Sequence, residues 1–262
     1  PNATPEAVTE QSEAAVAAHR SSLGAIGTET QLVEEAGLGD EERITRSALL
    51  AQIRRDRADL AADLEAWNID PVGGPQVTAM NLEAIQPVVT PDQADAMVAR
   101  WVALGPWFEA RADRLRSSLG EGRVGVHSTI EKVVDQLTSV LEAPGETLPL
   151  LAPLAVAHPD WTQPERSAFD ESLRSAVRDI VRPALERYLA VIRDEILPAA
   201  RPDDRPGLVH VPGGREAYDD LIELHTSLPL GADEIDAVGL DEVARIDAAL
   251  AMLGERVLGT AD

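Results

Sequence analysis

The sequence predicts an all-α fold: an array of antiparallel and kinked helices joined by irregular Pro/Gly connectors, with one very short strand pair as the only β option. Three observations carry this. Apolar residues recur at helical spacing along most of the chain. Aromatic residues make up only 3% of a chain that is 44% hydrophobic, so the core has to be built from Leu, Val, Ile and Ala, which suits closely packed helices. Several helix starts carry capping signatures, while long alternating strands and repeats of fixed period are missing.

The elements follow in order. The first forty residues read as one or two weaker Ala-rich helices, which sets a segment 1–43 apart from a main helical domain 44–262. Leu49, Ile53, Leu60, Leu64 and Trp67 support a helix over about residues 44–66. "NIDPVGGPQVT", residues 68–78, is too rich in Pro and Gly to be regular. Thr90-Pro91-Asp92-Gln93 is a capping box with proline at the first helical position. Met97, Trp101, Leu104 and Phe108 then share one helix face, and Gly105-Pro106 is expected to kink or split it. Ser128 with Glu131 opens another helix, carrying Ile130, Val133, Val134, Leu137 and Leu141 inward. Thr162-Gln163-Pro164-Glu165 repeats the start signal before a long apolar run ending near Ile196, with a bend expected at Pro183. "GLVHVP", residues 207–212, reads as a short extended piece. A helix is expected from Gly214, a short one from Gly231 with Glu234, and a last one carrying Val243, Ile246, Leu250, Leu253 and Val257.

Composition excludes several classes of function. The net charge of −23, from 46 acidic and 23 basic residues, repels phosphate backbones and anionic lipid, so neither nucleic acid nor membrane is an expected partner. No cysteine is present, which removes disulfides and thiolate metal sites. No run reaches the length needed to span a bilayer, and the N-terminus lacks a signal-peptide pattern. A cytoplasmic location is favoured, with a secreted one left open. "NAT", residues 2–4, fits a glycosylation sequon.

Motifs are few. "GEGRVG", residues 120–125, matches the letters of a dinucleotide fingerprint, yet a helix rather than a strand precedes it, so it is read as a helix-to-helix loop. The five histidines His19, His127, His158, His210 and His225 lie far apart, and none begins a His-Glu-x-x-His motif. No metal ligand or catalytic residue is therefore assigned. The remaining candidate is the stretch from Val211. With a helix starting near Gly214, Tyr218, Leu221, Ile222 and His225 share one face, while Asp219, Asp220 and Glu223 turn to water. Tyr218 and His225 offer a phenol and an imidazole for holding a substrate, and Gly213 and Gly214 allow close backbone approach at the helix start. Core hydrogen bonding is the competing role for the same two side chains.

The order "PGG-x-x-x-Y", "HT" and "ADEIDAVGLDEVARID" resembles the bacterial family known as domain of unknown function 885. Upstream, "WNIDPVGGPQ" and "VVTPDQADAMVARWVALGPWFEARADRLRSSLGEGRVGVHSTIEKVVDQL" look like that family's amino-terminal half. The resemblance implies an all-helical protein similar to zinc carboxypeptidases, with a metal motif downstream of the Glu-Val-x-Arg-Ile helix. It therefore implies that this chain is the amino-terminal helical portion of a larger, two-lobed zinc-dependent peptidase. That portion would wall a peptide-binding cleft without holding the metal, so no cofactor is expected within the chain and zinc is expected in the longer protein. The missing carboxy-terminal half, or self-association, is then expected to cover the helices over residues 213–257. The alternative is a non-catalytic acidic helical interaction module.

Overall fold

The computed structural model describes the backbone of residues 5–33, 37–67 and 69–259, and the side chains of those residues from 17 onward. The sequon at residues 2–4 and Asn68 of the Pro/Gly stretch lie outside the described residues. Among the described residues nine α-helices follow one another: α1 (Pro5–Leu32), α2 (Asp40–Ala62), α3 (Pro75–Asn81), α4 (Pro91–Gly120), α5 (His127–Glu142), α6 (Gln163–Ala176), α7 (Arg182–Val191), α8 (Gly214–Thr226) and α9 (Ala232–Leu258). Among the described residues there is no strand. Where a strand pair was an option, a single isolated bridge joins Val126 and Arg201. The fold class is all-α, as the periodicity predicts.

The helices fall into two compact units, one from Pro1–His19 and Asp63–Pro212, the other from Arg20–Ala62 and Gly213–Asp262. The first is built around α4. Thr90 caps it as its sequence requires: its hydroxyl accepts from the Gln93 amide at 3.3 Å, and Gln93 Oε1 accepts from the Thr90 amide at 3.2 Å. Met97, Trp101 and Phe108 are fully buried along α4, and the Trp101 indole donates to the carbonyl of Leu150 at 3.0 Å. The expected break at Gly105-Pro106 does not occur, for α4 runs on through both residues. Burial on either side of the proline, from Leu104 to Phe108 and Ala112, offsets the lost hydrogen bond. Gly105 has its own reason to be glycine, because a Cβ there would lie 2.7 Å from Cγ2 of Ile180.

Pro183 stands two residues past the π turn Val177–Val181, in a run whose backbone is already helical at Val181, so its missing donor falls where the hydrogen-bond register changes. The irregularity is carried by two π turns, Val177–Val181 and Ile192–Ile196, which flank α7. Two further expectations are corrected. The Pro/Gly stretch ends in a true helix, α3, because Pro75 takes the first helical position and Gly74 the cap. Residues 208–210 form a 3-10 turn rather than an extended piece.

In the second unit α2 packs along α8, and α1 contributes its later turns. The Arg57 guanidinium donates to the carbonyl of Leu23 at 3.1 Å, and Gly27 lets Ile53 and Arg57 approach α1. The last segment is one continuous helix, α9, in place of the two that Gly231 and Val243 suggested. None of its side chains is buried.

Candidate functional site

Helix α8 begins where the glycines place it. Gly213 caps it in the left-handed region, with φ 68° and ψ 8°, a conformation that costs any residue with a Cβ, and the buried Gly214 opens the first turn. The helix closes at Ser227, itself left-handed with φ 60°, and Thr226 donates its hydroxyl to the carbonyl of Ile222 at 2.7 Å. Along the predicted stripe, Leu221 and Ile222 are buried, while Tyr218 is 45% exposed and His225 is exposed. Neither the Tyr218 hydroxyl nor the His225 imidazole has a hydrogen-bond partner among the described residues. The two lie seven residues apart, about 10 Å along the axis at 1.5 Å per residue. They therefore offer two polar contacts on one surface.

The other side of α8 faces α2. Asp220, Glu223, Leu224 and Ser227 line a groove of about 380 Å³ with Arg54, Arg55 and Arg57 of α2. Arg54 Nε stands 3.8 Å from Glu223 Oε1, both side chains exposed, so the pair contributes little. Arg55 has no partner among the described residues. Sequence reading passed over these arginines, although three within four positions in a chain of charge −23 form a local reversal of sign.

The histidines do not converge. His158 stacks on Trp161 with ring centroids 4.0 Å apart, His127 opens α5, and His19, His210 and His225 are exposed. Among the described residues no three His, Cys, Asp or Glu side chains gather in a way that could hold a metal ion. The zinc that the sequence resemblance implies belongs to the longer protein, downstream of these residues, so the histidines here are not its expected donors. "GEGRVG" forms the turn from α4 toward α5, with Gly122 at φ 76°. A helix feeds it, which does not suit a dinucleotide.

Residues 3–262 match the family described as "Bacterial protein of unknown function (DUF885)". The chain belongs to DUF885. No functionally curated protein matches it. Among solved structures, the "putative lipoprotein from Colwellia psychrerythraea" shares the fold with a TM-score of 0.78 at 16% sequence identity. That likeness covers 90% of this DUF885 chain and 42% of the solved one, so the present chain spans somewhat less than half the length of its neighbour. Among the described residues no helix is long and apolar enough to cross a membrane.

Proposed function

We propose that this DUF885 chain is the helical wall of a larger peptidase-like hydrolase, with Tyr218 and His225 of α8 as contacts for a peptide and Gly213 and Gly214 fixing the start of that wall. The metal donors in this reading lie outside the described residues. The observation that carries it is α9. Val243, Ile246, Leu250, Leu253 and Val257 repeat at spacings of three and four, and all are exposed in a 27-residue helix with no buried side chain. Such a stripe calls for a partner surface. The neighbour's greater length, the chain covering 42% of it, supports a partner within the same polypeptide.

The complete gene product, loaded with zinc, is expected to cleave members of a peptide library that the 262-residue chain leaves intact. His225→Ala and Tyr218→Phe in that product should raise KM more than they lower kcat. A complete product that cleaves nothing, or that ends at Asp262, overturns the reading. The exposed stripe also favours a second reading, an acidic interaction module without chemistry. A self-association of the chain that is lost in Leu250→Asp, together with an inert complete product, would favour that one.

A further inference from the structure

Between α4 and α7, within the first unit, lies a groove of about 370 Å³, in the size range of small-molecule sites. Its floor is small and apolar, with Ala112, Ala184 and Ala190 leaving room above them. Its walls carry both signs of charge. On one side Arg116 holds Glu195 through two nitrogens, at 2.8 and 2.6 Å, and Asp113 at 3.1 Å. On the other, Arg187 reaches Glu109 at 2.5 Å through Nη2 alone, leaving its other donors without a partner among the described residues. Glu195 belongs to the π turn Ile192–Ile196, and such single π turns inside helices recur at functional positions because they shift the register of the side chains that follow.

Tyr188 separates this groove from an ordinary ion-paired helix contact. Its side chain lines the groove and is only 2% exposed, with its ring 5.3 Å from that of Phe108. Its hydroxyl has no hydrogen-bond partner among the described residues. The hydroxyl is not sealed in the core: the little exposure Tyr188 keeps leaves its oxygen open to solvent or to a ligand, while a phenylalanine would fill the same space beside Phe108 without that polar tip. Burial pushes the phenol up, far from neutral pH, so the group keeps its proton and acts as a donor.

We propose that this groove binds a small zwitterion of the amino-acid or short-peptide class. Its carboxylate accepts from the Tyr188 hydroxyl and the unused nitrogens of Arg187, and its ammonium faces Asp113 and Glu195. The alanine floor takes a small side chain. The site is independent of the surface assigned to Tyr218 and His225, and the two tyrosines of the chain allow the two to be told apart.

The test is a titration of the chain, carrying ring-labelled tyrosine, with the dipeptide alanyl-alanine, followed by nuclear magnetic resonance. A saturable shift of the Tyr188 signal with Tyr218 unmoved is expected. Tyr188→Phe and Arg187→Gln, each assayed by calorimetry, should weaken binding about tenfold or more, the loss expected for a hydrogen bond to a charged group. N-acetylalaninamide, which lacks both charges, should not bind. No saturable shift at Tyr188, undiminished affinity in Arg187→Gln, or equal binding of the uncharged analogue overturns the proposal. A shift confined to Tyr218 also overturns it, while favouring the α8 surface instead.

Discussion

Substituting Gly74 by alanine tests the tightest turn in the first unit. The Asp70 carbonyl accepts two hydrogen bonds, from the Gly74 amide at 3.1 Å and from Gln76 Nε2 at 2.9 Å. Gln76 Nε2 also reaches Gln136 Oε1 at 3.2 Å, and Gln136 Nε2 donates to the Pro71 carbonyl at 2.8 Å. The glycine therefore sits inside a closed polar knot. A Cβ on Gly74 would fall against the Asp70 carbonyl oxygen and 2.6 Å from Gln76 Oε1, distances that force the backbone apart. Losing both bonds at Asp70 costs about 1 kcal/mol each net, and the strain of overpacking adds about 1–3 kcal/mol. The total, about 3–5 kcal/mol, is a large share of the 5–15 kcal/mol typical of a folded domain.

Urea denaturation followed by tryptophan fluorescence reads this change, because Trp67, Trp101, Trp107 and Trp161 all lie in Asp63–Pro212. Gly145→Ala is the control: a Cβ there meets nothing, and the change should stay within about 0.5 kcal/mol. If Gly74→Ala unfolds within about 1 kcal/mol of the parent at an unchanged m-value, the steric reasoning is wrong.

Two further outcomes follow from the same structure. Gly213→Ala, forcing a Cβ into the left-handed region, should lower the free energy of local opening of α8 by about 1–2 kcal/mol, measured by amide hydrogen exchange at Ala217 to Leu224. Equal protection in parent and variant would contradict it. Acid should weaken the first unit through Asp203, whose carboxylate accepts from the Ser128 amide at 2.9 Å and is held below the ordinary carboxylate range by that bond. Because the native value is the lower one, the contribution is present above about pH 4 and lost as pH falls through the native value. Asp203→Asn should therefore flatten part of the acid decline in the urea midpoint, and a pH profile superimposed on the parent's would count against the role.

The comparison of sequence with structure shows which interactions are readable one segment at a time. Capping boxes at Thr90 and Thr162 are complete within four residues, and both open helices where they stand. The start of α8 is equally local, since only a glycine sits comfortably at the φ of Gly213. The start of α5 lies at the other extreme, because its capping carboxylate comes from Asp203, 75 residues away from Ser128. Gly105-Pro106 failed as a breaker for the same reason. A proline rule weighs one lost hydrogen bond, while the helix is held by burial against Ile180 and its neighbours, which no local window contains. Tyr188 follows this logic into function. Within its own run, among Leu185, Leu189 and Ile192, it reads as one more core residue. It becomes a candidate ligand contact only when α4 brings Arg116 and Asp113 across from α7 and the π turn presents Glu195. Tyr218 and His225 can be set on one helix face from the sequence alone, whereas the α4–α7 groove cannot, because its polarity is divided between segments whose ion pairs span 78 and 79 residues.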